Sequence, residues 1–207
     1  MNCQEAQGRK PRLYLYNSSF DPPGNHNIRI AEALISNREK NDLVWIMPYG
    51  GRPDTKGIAS AKDRHEMIIC AFSQFPEAII DLADLGKHQF TYSVDLEKRF
   101  KKNMPGFEIW HVIGSDMIEN GNTHSSKIHT KWHEGGWAFD HLNFLILNRE
   151  NFPTLQANLP VHAECLFVHT SGTNAEIRER VRTGQSIDDF VPKSVAAYIK
   201  EHKLYLV

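Results

Sequence analysis

Ser18, Ser19, Gly24, His26 and Asn27 crowd one short stretch, "SSFDPPGNHN". Their types and spacing suit one task, the holding of phosphate oxygens. Two hydroxyls and an imidazole can donate hydrogen bonds, and a glycine lets the main chain approach a ligand closely. Helical periodicity resumes at Ile28. A helix starting near Asn25 would aim free N–H groups and the positive end of its dipole into the same loop. A plain strand-to-helix turn with a solvent-facing histidine would read the same way.

Three more segments carry residues of this kind. "PYGGRPDTKG" places Arg52 and Lys56 on a glycine-rich loop, where two cations suit a polyphosphate or simply water. "VIGSDM" sets Gly114 and Asp116 at the exit of an apolar run, and an aspartate there can accept from ribose hydroxyls or cap a helix. "HTSGTNAEIRER" puts Arg178 in the first turn of a helix. A cation there opposes the macrodipole, at a cost of roughly a few tenths of a kcal/mol, unless an anion is near. Arg178 is thus the best physical pointer to phosphate outside the first loop. His124, His129, His133 and His141 share one polar segment, and His129/His133 have the spacing of a helical metal pair. With no HExxH and no acidic ligand beside them, no metal site is expected. Trp110, Trp132 and Trp137, with Tyr92, could stack on an aromatic base or pack in the core.

These residues need a scaffold, and the periodicity supplies one. "RLYLYNS", "DLVWIMP", "EAIIDLA", "FEIWHVIG", "LNFLILN" and "AECLFVH" read as six strands. Between them lie amphipathic runs: Ile28 to Ile35, a helix capped by Ser60, and one capped by Thr91 with basic residues in its last turn. Two helices, about 174–183 and 192–203, finish the chain. Alternation of this kind predicts an α/β fold: a single-domain, Rossmann-like, doubly wound parallel sheet with C-terminal helices. Residues 1–207 read as one domain, with 1–11 a flexible arm. Ligands in such folds bind beyond the carboxyl ends of the strands, where strand order reverses. All four phosphate-type segments follow strands.

Bulk properties exclude other classes. The 207 residues are 41% hydrophobic and 24% charged, with a formal net charge of −1, which argues against a dedicated nucleic-acid surface. Three scattered cysteines offer neither a disulfide framework nor a cysteine zinc site. No apolar run approaches a membrane span, and the first residues lack a signal-peptide core, so a cytoplasmic location is expected.

Taken in order, "SSFDPPGNHNIRIAEAL", "PYGGRPDTKG", "DRHEM", "TYSVDL", "WHVIGSDM", "NAEIRERVRTG" and "VPKSVAAYIKEHKLY" resemble the nicotinate/nicotinamide mononucleotide adenylyltransferases. These belong to the nucleotidyltransferase α/β-phosphodiesterase superfamily of HxGH type. The resemblance spans Leu13 to Tyr205. It implies transfer of AMP from ATP, with Mg²⁺, to nicotinate or nicotinamide mononucleotide, with pyrophosphate released. His26, Asn27, Arg178 and Lys56 fall at the catalytic positions it implies. Ser18, Ser19, Phe20, Gly24, Arg52, Gly114, Asp116, Thr173, Asn174 and Ile177 fall at nucleotide-binding ones. Thr91, Tyr92, Trp110 and Trp132 fall where the pyridine mononucleotide is received.

Two departures stand out. With Ile28, Ile30, Ala31 and Leu34 kept on the apolar face, Gly24 and Asn27 occupy the motif's two histidine positions, and His26 its glycine. A loop shortened by one residue would instead make His26 the catalytic histidine. In the last motif Asn174 and Ala175 replace hydroxyl residues. Left open here are a slow adenylyltransferase, a nucleotide-binding protein that has lost catalysis, a transferase making a CDP-alcohol or dephospho-coenzyme A, the choice of pyridine acceptor, and self-association.

Overall fold

The computed structural model describes residues 9–51, 59–148, 154–170 and 172–206. Six strands appear where apolar runs were read: β1 Arg12–Ser18, β2 Leu43–Pro48, β3 Ala78–Ile80, β4 Glu108–Gly114, β5 Asn143–Asn148 and β6 His162–Phe167. All pair in parallel, in the order β3-β2-β1-β4-β5-β6. Strand order reverses between β1 and β4, so a crevice opens at their carboxyl ends.

Helices cover both faces. Against one pack α1 Asn25–Asn37, α2 Ala61–Phe72, α6 Asn174–Arg182 and α7 Lys193–Glu201, which bury Ile30, Phe72, Ile177 and Val195 against Tyr14, Tyr16, Trp110 and Val112. On the other lie α3 Ser93–Asn103, α4 Lys127–Lys131 and α5 Gly135–His141, over Leu13, Leu15, Ile109, Ile113 and Phe144. No helix among the described residues is long and apolar enough to cross a membrane.

The elements differ from the sequence reading at four places. Helix α3 has Tyr92, not Thr91, at its N-cap, and no side chain caps it. Helix α6 is capped by Thr173, whose hydroxyl accepts from the Glu176 amide. Arg178 therefore sits in the second turn of α6, not the first. The third strand shrinks to three residues. Helices α4 and α5 form in the histidine-rich segment, where they are too short to repeat the hydrophobic period enough to be read.

Part of the expected N-terminal arm, residues 1–8, lies outside the described residues. The Arg9 guanidinium donates to Asp42 at 2.6 and 3.0 Å and to Glu39 at 2.9 Å. Asp42, 1% exposed, also accepts the Arg12 and Glu39 amides. Burial pushes its carboxyl up, but Arg9 and the two amides outweigh that and hold it below its ordinary 3.8. A carboxyl depressed on folding contributes stability that is complete above its unfolded value and is lost as pH falls through the folded one. Asp42→Asn is accordingly expected to cost about 1.5–3 kcal/mol at neutral pH and less as pH falls below about 4. Urea unfolding of both proteins at the two pH values measures this.

Candidate active site

A cleft of about 720 Å³ lies over the switch point. Its walls come from the end of β1 and the start of α1 (Tyr16–Ser19, His26, Asn27), the entry to α6 (Gly172–Asn174) and the exit of β4 (Gly114, Asp116). Its far end comes from Phe90–Ser93, Lys127 and Lys131–His133. The size is that of a small-ligand site.

The first corner is built around an absent side chain. Gly24, the N-cap of α1, has φ −98°, a conformation any residue adopts. What glycine supplies is room. A Cβ there would stand 2.7 Å from both His26 Nδ1 and Ile177 Cδ1. The His26 ring, 8% exposed, thus fills the volume beside residue 24 and lines the cleft. Asn27 also lines it, but its amide is committed. Its Oδ1 accepts from the Gly24 amide at 3.0 Å and its Nδ2 donates to the Tyr16 hydroxyl at 2.7 Å. The helix keeps the register with Ile28, Ile30, Ala31 and Leu34 buried, so no shortened loop is needed to bring His26 to the site.

Phe20 is fully buried edge-on to Tyr16 and Phe72, so its ring anchors the loop from below and lines no part of the cleft. Ile177 does the same from α6. Ser18 and Ser19 face the cleft, and Asn174 Nδ2 donates to Ser19 Oγ at 2.8 Å. That bond ties the two phosphate-type loops together and gives Asn174 a role in place of a hydroxyl residue. Arg178 is near but outside the lining. Its Nη1 donates to the Asp21 carbonyl and stands 3.6 Å from the Asp21 carboxylate. Arg52 and Lys56 lie outside the described residues.

At the other end, Tyr49, Phe90, Tyr92 and His133 follow one another ring to ring, with centroids 5.3, 5.6 and 4.7 Å apart. Thr91 and Trp132 line the same region. Lys127 Nζ meets Asp116 at 2.9 Å, and Lys131 adds a second cation. Trp110 is not brought here. It points to the opposite face of β4, buried with the Arg12 guanidinium 4.1 Å over its ring. A strand buried on both sides has no polar face to reveal which way a given side chain turns.

His111, its neighbour, takes the cleft-facing side instead and bonds the buried Glu97 at 3.0 Å. Burial pushes the Glu97 carboxyl up, yet His111 and Lys101 outweigh it and hold it below 4.5. Sequence reading missed His111, Lys127, Lys131 and Phe90. The alternation Ile109–His111–Ile113 was the one signal available, since it places a histidine among residues that face α3. His129 and His133 do not pair. Helix α4 ends at Lys131, His129 bonds Ser126 Oγ at 2.7 Å, and His133 lies tilted against the Tyr92 ring. Among the described residues no three His, Cys, Asp or Glu gather as metal ligands.

The fold has solved counterparts. The Plasmodium falciparum nicotinic acid mononucleotide adenylyltransferase, solved in complex with NaAD, superposes with a TM-score of 0.74 at 22% identity, covering 94% of this chain and 97% of that one. The same enzyme in complex with APC gives 0.71. Proteins named "Probable nicotinate-nucleotide adenylyltransferase" match in sequence over 94% of the chain. That of Shouchella clausii is 29% identical and covered to 96%, and that of Thermus thermophilus is 27% identical and covered to 99%. The chain is a homologue of the nicotinate-nucleotide adenylyltransferases. No family model matches it. In this chain Gly24, His26 and Asn27 give the corner between β1 and α1 one imidazole, carried on the helix, with a cleared space beside it.

Proposed function

We propose that the chain transfers the adenylyl group of ATP to a pyridine mononucleotide, nicotinate mononucleotide foremost, as a step of NAD biosynthesis. One observation carries this. The switch-point cleft has two phosphate-type loops, tied by the Ser19–Asn174 bond, at one end, and at the other an aromatic wall beside Lys127 and Lys131. The first end suits a triphosphate and the second a flat, anionic ring. A nicotinate carboxylate complements Lys131 and His133 where an amide would not.

The acceptor's phosphate is already anionic at neutral pH, so no general base is required. One of its oxygens attacks the α-phosphorus of ATP, the α–β bridging bond breaks, and pyrophosphate leaves with that electron pair. Catalysis is then alignment of two polyanions and neutralisation of spreading charge. Ser18, Ser19 and the first amides of α1 position the phosphates, His26 donates from the cleft wall, and Arg178 turns from Asp21 toward them. Asp116 and Gly114 face the adenosine half, while Thr91, Tyr92 and Trp132 face the acceptor. Arg52 and Lys56, which lie between β2 and α2 in the sequence, add cations. Among the described residues there is no carboxylate cage: Asp116 is paired with Lys127 and Asp21 is wholly buried. This fits Mg²⁺ that arrives on the triphosphate with its own waters and supplies charge neutralisation there. The cytoplasmic location expected from the sequence is part of the same proposal.

Incubation with ATP, Mg²⁺ and either pyridine mononucleotide, followed by chromatography, is expected to yield the dinucleotide, with the larger kcat/KM for the nicotinate form. Absence of dinucleotide from both would overturn the assignment.

A further inference from the structure

Beneath the phosphate corner one carboxylate gathers three distant parts of the chain. Asp21 is fully buried. Its Oδ1 accepts the Ala59 amide at 3.1 Å and the Tyr205 hydroxyl at 2.7 Å. Its backbone carbonyl accepts from Arg178, while Oδ2 has no hydrogen bond and lies 3.6 Å from the same guanidinium. Ala59 leads into α2, Arg178 stands on α6, and Tyr205 comes from the C-terminal tail, 184 residues away. From α2, Arg64 holds the Ser19 carbonyl at 2.7 and 3.0 Å and the Tyr49 carbonyl at 2.6 Å.

We propose that Tyr205 is a positioning residue for the phosphate half of the nucleotide site, acting through Asp21. This rests on the nucleotide reading of the cleft. Lys203, at φ 51°, is the left-handed residue that commonly ends a helix, here α7, whereas Tyr205 takes left-handed backbone beyond that cap, at φ 64°. Residues other than glycine are held there only when their surroundings demand it, and such positions gather at functional sites. Burial, and then Asp21, push the Tyr205 hydroxyl far above its ordinary value, so it stays a donor. The division of labour on Asp21 is informative. Tyr205 and Ala59 share one oxygen, and Arg178 faces the other. Arg178 can therefore leave for a ligand phosphate while the hydroxyl and the amide still hold the carboxylate, and the loop above it, in place. Without the hydroxyl, each turn of Arg178 toward ATP would leave Asp21 on one amide.

Tyr205→Phe tests this by calorimetry with Mg·ATP and by steady-state kinetics. The Kd and KM for ATP are expected to rise about tenfold while the KM for the pyridine mononucleotide stays within about twofold. Tyr198→Phe is the matched control. Its hydroxyl, on α7, bonds Asp63 at 3.0 Å and touches no cleft residue, so ATP affinity should be unchanged. A Tyr205→Phe protein with a lowered melting temperature but wild-type ATP affinity would make the tail a mere fastening and overturn the proposal. So would a parallel rise in both KM values. A wild-type protein that binds ATP but forms no dinucleotide would sink the assigned reaction and leave this test standing. One that binds no ATP would sink both.

Discussion

Replacing His26 by glycine is expected to lower kcat/KM for ATP by about 10²–10³, the cost of losing one electrostatic donor at a phosphoryl transition state. His26 is the imidazole that lines the cleft at the start of α1, and it stands in the volume that a side chain on residue 24 would enter. The two positions are therefore coupled by space. Gly24→His alone must displace His26 and Ile177, since even a Cβ comes within 2.7 Å of each, and its activity should fall as well. The double variant Gly24→His/His26→Gly removes that collision and returns an imidazole to the corner from the other position. It should recover most of the loss in either single variant. Steady-state kinetics with ATP varied decide it, and an unimpaired His26→Gly would remove His26 from the chemistry. Glycine near the start of α1 also costs about 1 kcal/mol of stability, which urea unfolding separates from the kinetic effect.

Arg178→Ala is the second large effect expected. It should reduce kcat/KM for ATP by about 10²–10³ and, separately, destabilise the fold by about 1–2 kcal/mol. That second cost is below the range for fully buried pairs, because the Arg178 side chain is 28% exposed while that of Asp21 is 1% exposed. Burial already pushes the Asp21 carboxyl up, with Tyr205, Ala59 and Arg178 pulling against it. Arg178→Lys keeps the charge without the planar fork and should restore stability better than rate. A stability loss with kinetics unmoved would confine Arg178 to a structural role.

How far the sequence carried this picture depends on what each residue's neighbours are. The strands and the long helices were legible because their apolar spacing is local. Ile28, Ile30, Ala31 and Leu34 alone set the register of α1, and with it the placing of Gly24 and Asn27. Thr91 was a poorer guide: threonine is a good N-cap by type, but the chain turns helical one residue later, and Thr91 faces the cleft. Trp110 failed for a different reason. In a central strand buried on both sides it could face either way, and the position facing the cleft is that of His111. Nothing local announces Asp21 or Tyr205 as partners, because their contact is made by the closing of the whole fold. The commitment of Asn27 to Gly24 and Tyr16 was likewise invisible, since asparagine reads as a donor wherever it stands.

The phosphate corner grows out of β1, and β1 is flanked on both sides, with Leu13–Ser18 against β2 and Arg12–Leu15 against β4. Such a strand can open only when the sheet itself comes apart, so the donor end belongs to the most cooperative unit of the molecule. The acceptor end hangs on the start of α3 and on the five residues of α4, elements that can shift without unpairing a strand. On the proposed reading, compliance is thus lopsided: the triphosphate would meet a backbone that is already set, with Arg178 the side chain that moves, and the larger moulding would be left to the side that receives the pyridine.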